Sequence, residues 1–307
     1  MAYDVIIIGA GPGGAAAAVY AARKQLKTLL LCKEFGGQSI VSEDIQNWIG
    51  TPSISGADLA ASFKNHVAQH SDFVTVREGV WVQSVEHKEG VFTVITDKET
   101  FTGRSVLITS GSTRRKLTVP GADTFENKGL TYCASCDGPL FSGQDVAVVG
   151  GGNAGFESAA QLLTYCKSVT ILQHGDRYKA DEVTVAKVLA HPNVIGILNT
   201  EVVEVKGEKF VTGIVYEDTT THEKHELPVT GIFVEIGLMP STSFVGSLVD
   251  VDDYKRIKID PWTQRTSALG IWAAGDCSNI KYHQNNIAAG DAVRAIEDLY
   301  LYLKTGK

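Results

Sequence analysis

Apolar residues in this chain come in short runs that stop at glycine, each followed by a segment with helical spacing. Residues 3–8 are such a run, closed by Gly9-Ala10-Gly11-Pro12-Gly13-Gly14; an alanine-rich helix is predicted over 15–23 and a strand over 28–31. This is a βαβ opening. The same order returns at 145–149, Gly150-Gly151-Gly152-Asn153-Ala154-Gly155, a helical stretch over 156–165 and a strand over 168–172. The repeat is one of architecture, offset by about half the chain.

Between the two openings, alternation at Val80-Trp81-Val82 and Val91-Phe92-Thr93-Val94 predicts a β-rich stretch over 74–96, and an apolar run over 105–109 ends in Ser110-Gly111. The second half matches it with a β-rich stretch over 201–216 and a run over 231–237. A strand then ends in Gly275-Asp276, and 286–303 predicts a closing amphipathic helix. If Gly275-Asp276 completes the first nucleotide site, the second domain is inserted into the first. The expected fold class is therefore α/β, with two Rossmann-like three-layer domains. One is discontinuous over 1–115 and 245–307; the other is inserted over 116–244.

At 307 residues the chain is long enough for about two domains, and 44% hydrophobic with 21% charged residues is the composition of a soluble enzyme. Net charge is −7 without a long run of one sign, which argues against nucleic acid or an anionic membrane as partner. No apolar run approaches the roughly 20 residues of a membrane span, and the start lacks a basic leader, so the cytoplasm is the expected compartment. The five cysteines, Cys32, Cys133, Cys136, Cys166 and Cys277, are too few and too scattered for a disulfide scaffold.

G-x-G-x-x-G occurs as Gly9, Gly11, Gly14 and as Gly150, Gly152, Gly155. The first glycine permits a tight turn, the second admits a pyrophosphate to the backbone, and the third lets helix pack on strand. One instance alone could be a decorated turn. Two, each with strand before and helix after, predict two dinucleotide sites. Cys133-Ala134-Ser135-Cys136 could be half a zinc site, but no other cysteine has a partner at ligand spacing. A redox dithiol is the better reading and no metal is expected. A helix start would depress one thiol's pKa, and Asp137 becomes a candidate acid for the leaving sulfur.

Tyr132-Cys133-Ala134-Ser135-Cys136-Asp137-Gly138 followed by the run 146–153 resembles the low-molecular-weight thioredoxin reductases of bacteria and archaea. Gly36-Gly37-Gln38, Gln46-Asn47-Trp48, Gly237-Leu238-Met239-Pro240, Ala274-Gly275-Asp276 and His283-Gln284 extend the resemblance over essentially the whole chain. The flavoprotein component of alkyl hydroperoxide reductase shares most of these motifs. The resemblance implies a homodimer, a discontinuous FAD domain, an inserted pyridine-nucleotide domain bearing the dithiol, and a swing between two poses. It also implies that Cys136 attacks the flavin and Cys133 the partner's disulfide. Gly9, Gly11, Gly14, Gly37, Gln38, Asn47, Gly275, Asp276, His283 and Gln284 would hold FAD, with Asp276 on the ribityl chain and Asn47 and Gln284 near the isoalloxazine.

The pattern departs from the family where the second nucleotide is read. NADPH-dependent members carry a His-Arg-Arg segment and a later Arg; here stand Gln173-His174-Gly175 and Lys179, with Asp176 nearby. Two lost charge-assisted bonds of roughly 1.5–3 kcal/mol each would weaken NADPH by about two to four orders of magnitude. NADH binders usually place an acid where Gln173 stands, so Gln173 would accept one ribose hydroxyl and NADH is not selected clearly. His283 replaces a basic Arg or Lys common before Gln284. The expected function is an FAD-dependent disulfide reductase serving thioredoxin or a thioredoxin-like protein, with NADPH used weakly or not at all. The rivals are an NADH-driven reductase of a peroxiredoxin or glutaredoxin-like partner, a flavoprotein fed by a ferredoxin-type donor, and a flavin-loaded redox sensor.

Overall fold

The computed structural model describes residues 2–42 and 44–306. The chain opens with β1 (Val5–Ala10), α1 (Pro12–Arg23) and β2 (Thr28–Phe35). The helix starts three residues ahead of the expected 15, because Pro12 at its first position has a backbone already set for it and the glycine turn is itself the first helical turn. Next come α2 (Gly56–Ala68), β3 (Val74–Glu78), β4 (Val82–Lys88), β5 (Val91–Thr96), β6 (Thr100–Gly103), β7 (Val106–Ile108) and β8 (Ser112–Arg114). The stretch read as one β-rich block divides: β3 joins a parallel sheet, while β4 and β5 pair antiparallel with each other and β5 with β6.

The chain continues through α3 (Ala122–Phe125), β9 (Leu130–Thr131), α4 (Ala134–Asp137), β10 (Asp145–Val149), α5 (Asn153–Leu162), β11 (Ser168–Leu172), α6 (Glu182–Leu189) and β12 (Val194–Ile197). An antiparallel sheet follows, β13 (Thr200–Gly207), β14 (Val211–Asp218) and β15 (Lys224–Leu227), then β16 (Gly231–Val234) and β17 (Leu238–Pro240). The last elements are β18 (Ile271–Ala273) and α7 (Asn285–Thr305), which Gly306 closes in the left-handed conformation.

Two compact units result, Met1–Thr113 with Met239–Lys307, and Arg114–Leu238. The expected boundaries are 115/116 and 244/245. The chain passes between the units through β8 and β17, which pair with each other.

In the first unit five parallel strands stand in the order β18-β7-β1-β2-β3. Alternate residues of β1 serve opposite faces. Val5 and Ile7 pack against α1, α2 and α7, whereas Ile6 and Ile8 pack against β4, β5 and the segment 245–257. The second unit repeats this with β12-β11-β10-β16-β9, all parallel. Val146 and Val148 meet α5 and α6; Ala147 and Val149 meet the antiparallel sheet. Each unit is thus three layers deep, and each core is closed within its own unit.

Candidate functional site

In the first unit the chain turns from β1 into α1 at Gly9, whose φ of 108° favours glycine. A Cβ there would stand 2.3 Å from the Thr109 carbonyl oxygen, and one at Gly14 would stand 1.7 Å from that of Gly9. These two glycines are fixed by packing. Gly11 differs, because a Cβ there would meet nothing nearer than Gly37 Cα at 3.9 Å. Gly11 and Gly37 therefore face each other across space that a side chain would fill, over the first turn of α1, whose amides lack intrahelical acceptors. A pyrophosphate fits that cradle.

Other expected contacts of the flavin gather at the same end of the sheet. Asn47 Nδ2 donates to Gln284 Oε1 at 3.2 Å, and Asn286 donates to the Asn47 carbonyl. Asp276 follows β18, and its Oδ1 lies 3.3 Å from Nδ1 of His283. Gly275, at φ 73°, makes the turn that presents it. Gln38 Nε2 reaches Ser112 Oγ at 3.2 Å. Carboxylate, amides and glycine cradle together suit a flavin dinucleotide.

The second unit builds the same turn at Gly150, Gly152 and Gly155. A Cβ on Gly150 would stand 2.3 Å from the Glu235 carbonyl oxygen and one on Gly155 1.9 Å from that of Gly150, while Gly152 faces open space. Gln173 has internal partners. It is buried, its Oε1 accepts the N–H of Gly151 at 2.9 Å, and its Nε2 donates to the Arg177 carbonyl at 3.1 Å. The carboxamide is spent inside the protein, binding the glycine loop to the segment that follows β11. Lys179 N–H donates to the Gly151 carbonyl at 2.8 Å, Asp181 N–H to Asn153 Oδ1 at 2.8 Å, and Tyr178 packs edge-on against Phe156. His174, Asp176, Arg177 and Lys179 are exposed.

Glu235 escaped the sequence reading. It follows β16 at the end of that apolar run and accepts from Ser158 Oγ at 2.7 Å; burial pushes its carboxyl up, against the opposing pull of Ser158 and Arg114. The one available signal was a lone acid among Ile232, Phe233, Val234 and Ile236.

Cys133 and Cys136 form a disulfide, with Cα atoms 5.3 Å apart. Cys133 caps α4 and Cys136 lies within it, a single turn packed against α5. One turn carries little macrodipole; the Cys133 sulfur instead has a specific donor, the Cys136 N–H at 3.2 Å. Gly138 lets the chain pass close to α5, since a Cβ there would stand 3.3 Å from Leu162. Asp137 ends α4 and accepts a hydrogen bond from the Thr131 hydroxyl, a partner that no sequence pattern indicated. The remaining cysteines are buried free thiols. Burial raises Cys32 to about 12, and Cys166 and Cys277 to about 11, which keeps them protonated and inert. Among the described residues no group of His, Cys, Asp and Glu could hold a metal ion, and no helix is long and apolar enough to cross a membrane.

A family model described as pyridine nucleotide-disulphide oxidoreductase matches residues 3–291. The chain belongs to this family. It is a flavoprotein oxidoreductase of the family that works with FAD and a nicotinamide nucleotide, and its fold is that of the thioredoxin reductases. The F subunit of alkyl hydroperoxide reductase from Escherichia coli (strain K12) is 39% identical over 98% of the chain. NADH dehydrogenase of Bacillus subtilis (strain 168) is 36% identical over 98%. The chain spans 58% of the length of each. The thioredoxin reductase of Streptococcus pyogenes MGAS5005 superimposes with a TM-score of 0.89 at 32% identity, covering 99% of this chain and 98% of that one.

Proposed function

We propose that the chain is an FAD-dependent disulfide reductase that passes electron pairs through Cys133 and Cys136 to the disulfide of a thioredoxin-like protein. The formed disulfide at a one-turn helix, with the Asp137 carboxyl group in the same turn, carries this reading. Bound FAD supplies two-electron transfer. The chain's residues then have separate tasks: Gly9, Gly11, Gly14 and Gly37 cradle the pyrophosphate, Asp276 takes a sugar-chain hydroxyl, and Asn47, His283 and Gln284 border the ring. Cys133 exchanges with the partner's disulfide, Cys136 resolves the mixed disulfide, and Asp137 exchanges the proton.

NADPH is a weak donor in this proposal. Nothing in Gln173-His174-Gly175 replaces an arginine pair, and the Gln173 amide is already engaged by Gly151 and Arg177. The similarity to the F subunit of alkyl hydroperoxide reductase and to NADH dehydrogenase favours one second reading, in which NADH is the donor and the partner is a peroxiredoxin or glutaredoxin-like protein. One anaerobic experiment separates the two. The flavin is titrated with NADH, NADPH and reduced ferredoxin, and the reduced protein is offered oxidised thioredoxin, glutaredoxin and peroxiredoxin. Thioredoxin reduced fastest is the expected outcome; a peroxiredoxin preferred under NADH selects the second reading, and no disulfide reduced under any donor overturns both.

A further inference from the structure

Thr131 ends β9 two residues before the dithiol, and its hydroxyl lies between two parts of the relay. It donates to Oδ2 of Asp137 and accepts the N–H of Cys133 at 3.4 Å. Thr131 is 6% exposed and Asp137 is half-buried, so the hydrogen bond is partly shielded from water. Its backbone is fixed by the parallel sheet, where Thr131 stands opposite Phe233 of β16. Asp137, by contrast, belongs to a four-residue turn. A strand of the parallel sheet thus holds a side chain on a four-residue helical turn.

We infer that Thr131 is a positioning residue for thiol–disulfide exchange, its hydroxyl fixing the Asp137 carboxyl group beside the Cys133–Cys136 pair. The inference rests on reading that pair as the relay. An incoming thiolate of a dithiol attacks one sulfur, and the Cys133–Cys136 bond breaks as the new S–S bond forms. The other sulfur leaves with the bonding pair as a thiolate, and Asp137, protonated, gives it one proton. The donor's second thiolate then displaces the attacked sulfur, so that the donor ends as a disulfide and the pair as two reduced cysteines. In the opposite direction the Asp137 carboxylate takes the proton back. In both states one carboxyl oxygen stays on the Thr131 hydroxyl, so the proton moves without the carboxyl group swinging.

The test uses the FAD-loaded full chain with Thr131→Val, which keeps the volume and removes the hydroxyl, and Thr131→Ser, which restores it. The disulfide is reduced with dithiothreitol and its rate recorded. After the reductant is removed, Cys133 and Cys136 are alkylated with iodoacetamide between about pH 5 and about pH 9 and read separately by peptide mass. Other titratable groups next to the turn, Tyr132 and Tyr165, are the same in every variant. The valine variant should slow reduction about tenfold and move the alkylation midpoint by about half a pH unit or more, and serine should restore both. A valine profile that superimposes on the wild type, or a serine variant as impaired as valine, overturns the inference. Should Thr131→Val fail to fold, Thr131→Ala against Thr131→Ser makes the same comparison. Neither readout needs a physiological donor or partner, so failure to reduce thioredoxin would count against the proposed function alone.

Discussion

Gln173 is a side chain whose carboxamide already has partners within the fold. A glutamine at the end of the second strand of a nucleotide fold invites a ribose hydroxyl, yet this one closes the glycine loop onto its own neighbours. Replacing it by leucine leaves the Gly151 N–H and the Arg177 carbonyl without that partner. An unsatisfied buried group costs about 1–3 kcal/mol, so Gln173→Leu should lower the melting temperature measurably in a thermal scan. Installing the missing phosphate grip should therefore spare Gln173. His174→Arg with Gly175→Arg should improve NADPH reduction of the flavin at least about tenfold in anaerobic rate measurements. Some stability should be lost, since a Cβ at Gly175 would come within 3.2 Å of Gln173 Nε2. Glu235 makes a pH-dependent prediction. Its folded pKa lies above the unfolded one, so the folded protein holds the proton more tightly. Its contribution is full below the unfolded value and is lost as pH rises through the folded value. Glu235→Gln should accordingly raise the melting temperature more at pH 8 than at pH 4, and equal shifts at both would refute the assignment.

At the scale of elements, the β1–α1 turn assigns different work to glycines that look alike in sequence. Gly14→Ala drives a methyl group into the Gly9 carbonyl and should damage the folding of the first unit, whereas a Cβ at Gly11 comes no nearer than 3.9 Å to Gly37 Cα, so Gly11→Ala should fold while losing FAD. Circular dichroism and flavin absorbance on the two variants distinguish the cases. The dithiol turn lies on a different element from this cradle. Cys133→Ser and Cys136→Ser should each abolish reduction of a thioredoxin-type disulfide and still retain one FAD per chain. Turnover surviving in either would mean that the pair is not the relay. The sequence made both glycine turns and the dithiol legible, because strand, turn and helix there are set by residues within a few positions of one another. It did not show that α4 is one turn long and gives way directly to a 3-10 turn over Gly138–Phe141.

For the molecule as a whole, the separate cores carry the consequence. The apolar clusters of the second unit lie entirely between Leu117 and Ile236. A fragment of residues 114–238 should therefore unfold cooperatively on its own, form the Cys133–Cys136 disulfide and bind no FAD. Non-cooperative melting of that fragment would show that the insert depends on its host. The first unit is less separable in sequence, because β18 and α7 return after the insert to join β7 and α1.

Local physical chemistry determined much of this protein from the sequence alone. The apolar runs that become β1 and β10, the glycines forced by tight turns, the paired cysteines and the family they mark need no partner from elsewhere in the chain. Tertiary structure decided what depends on atoms brought together from distant positions: Gly37 opposite Gly11, Gln284 on Asn47, Gln173 on the Gly151 amide, Ser158 on Glu235 and Thr131 on Asp137. Hydrogen bonds and close approaches of that kind are selected by how the sheets and helices pack. They leave no periodic trace along the chain, whereas a strand or a glycine turn does.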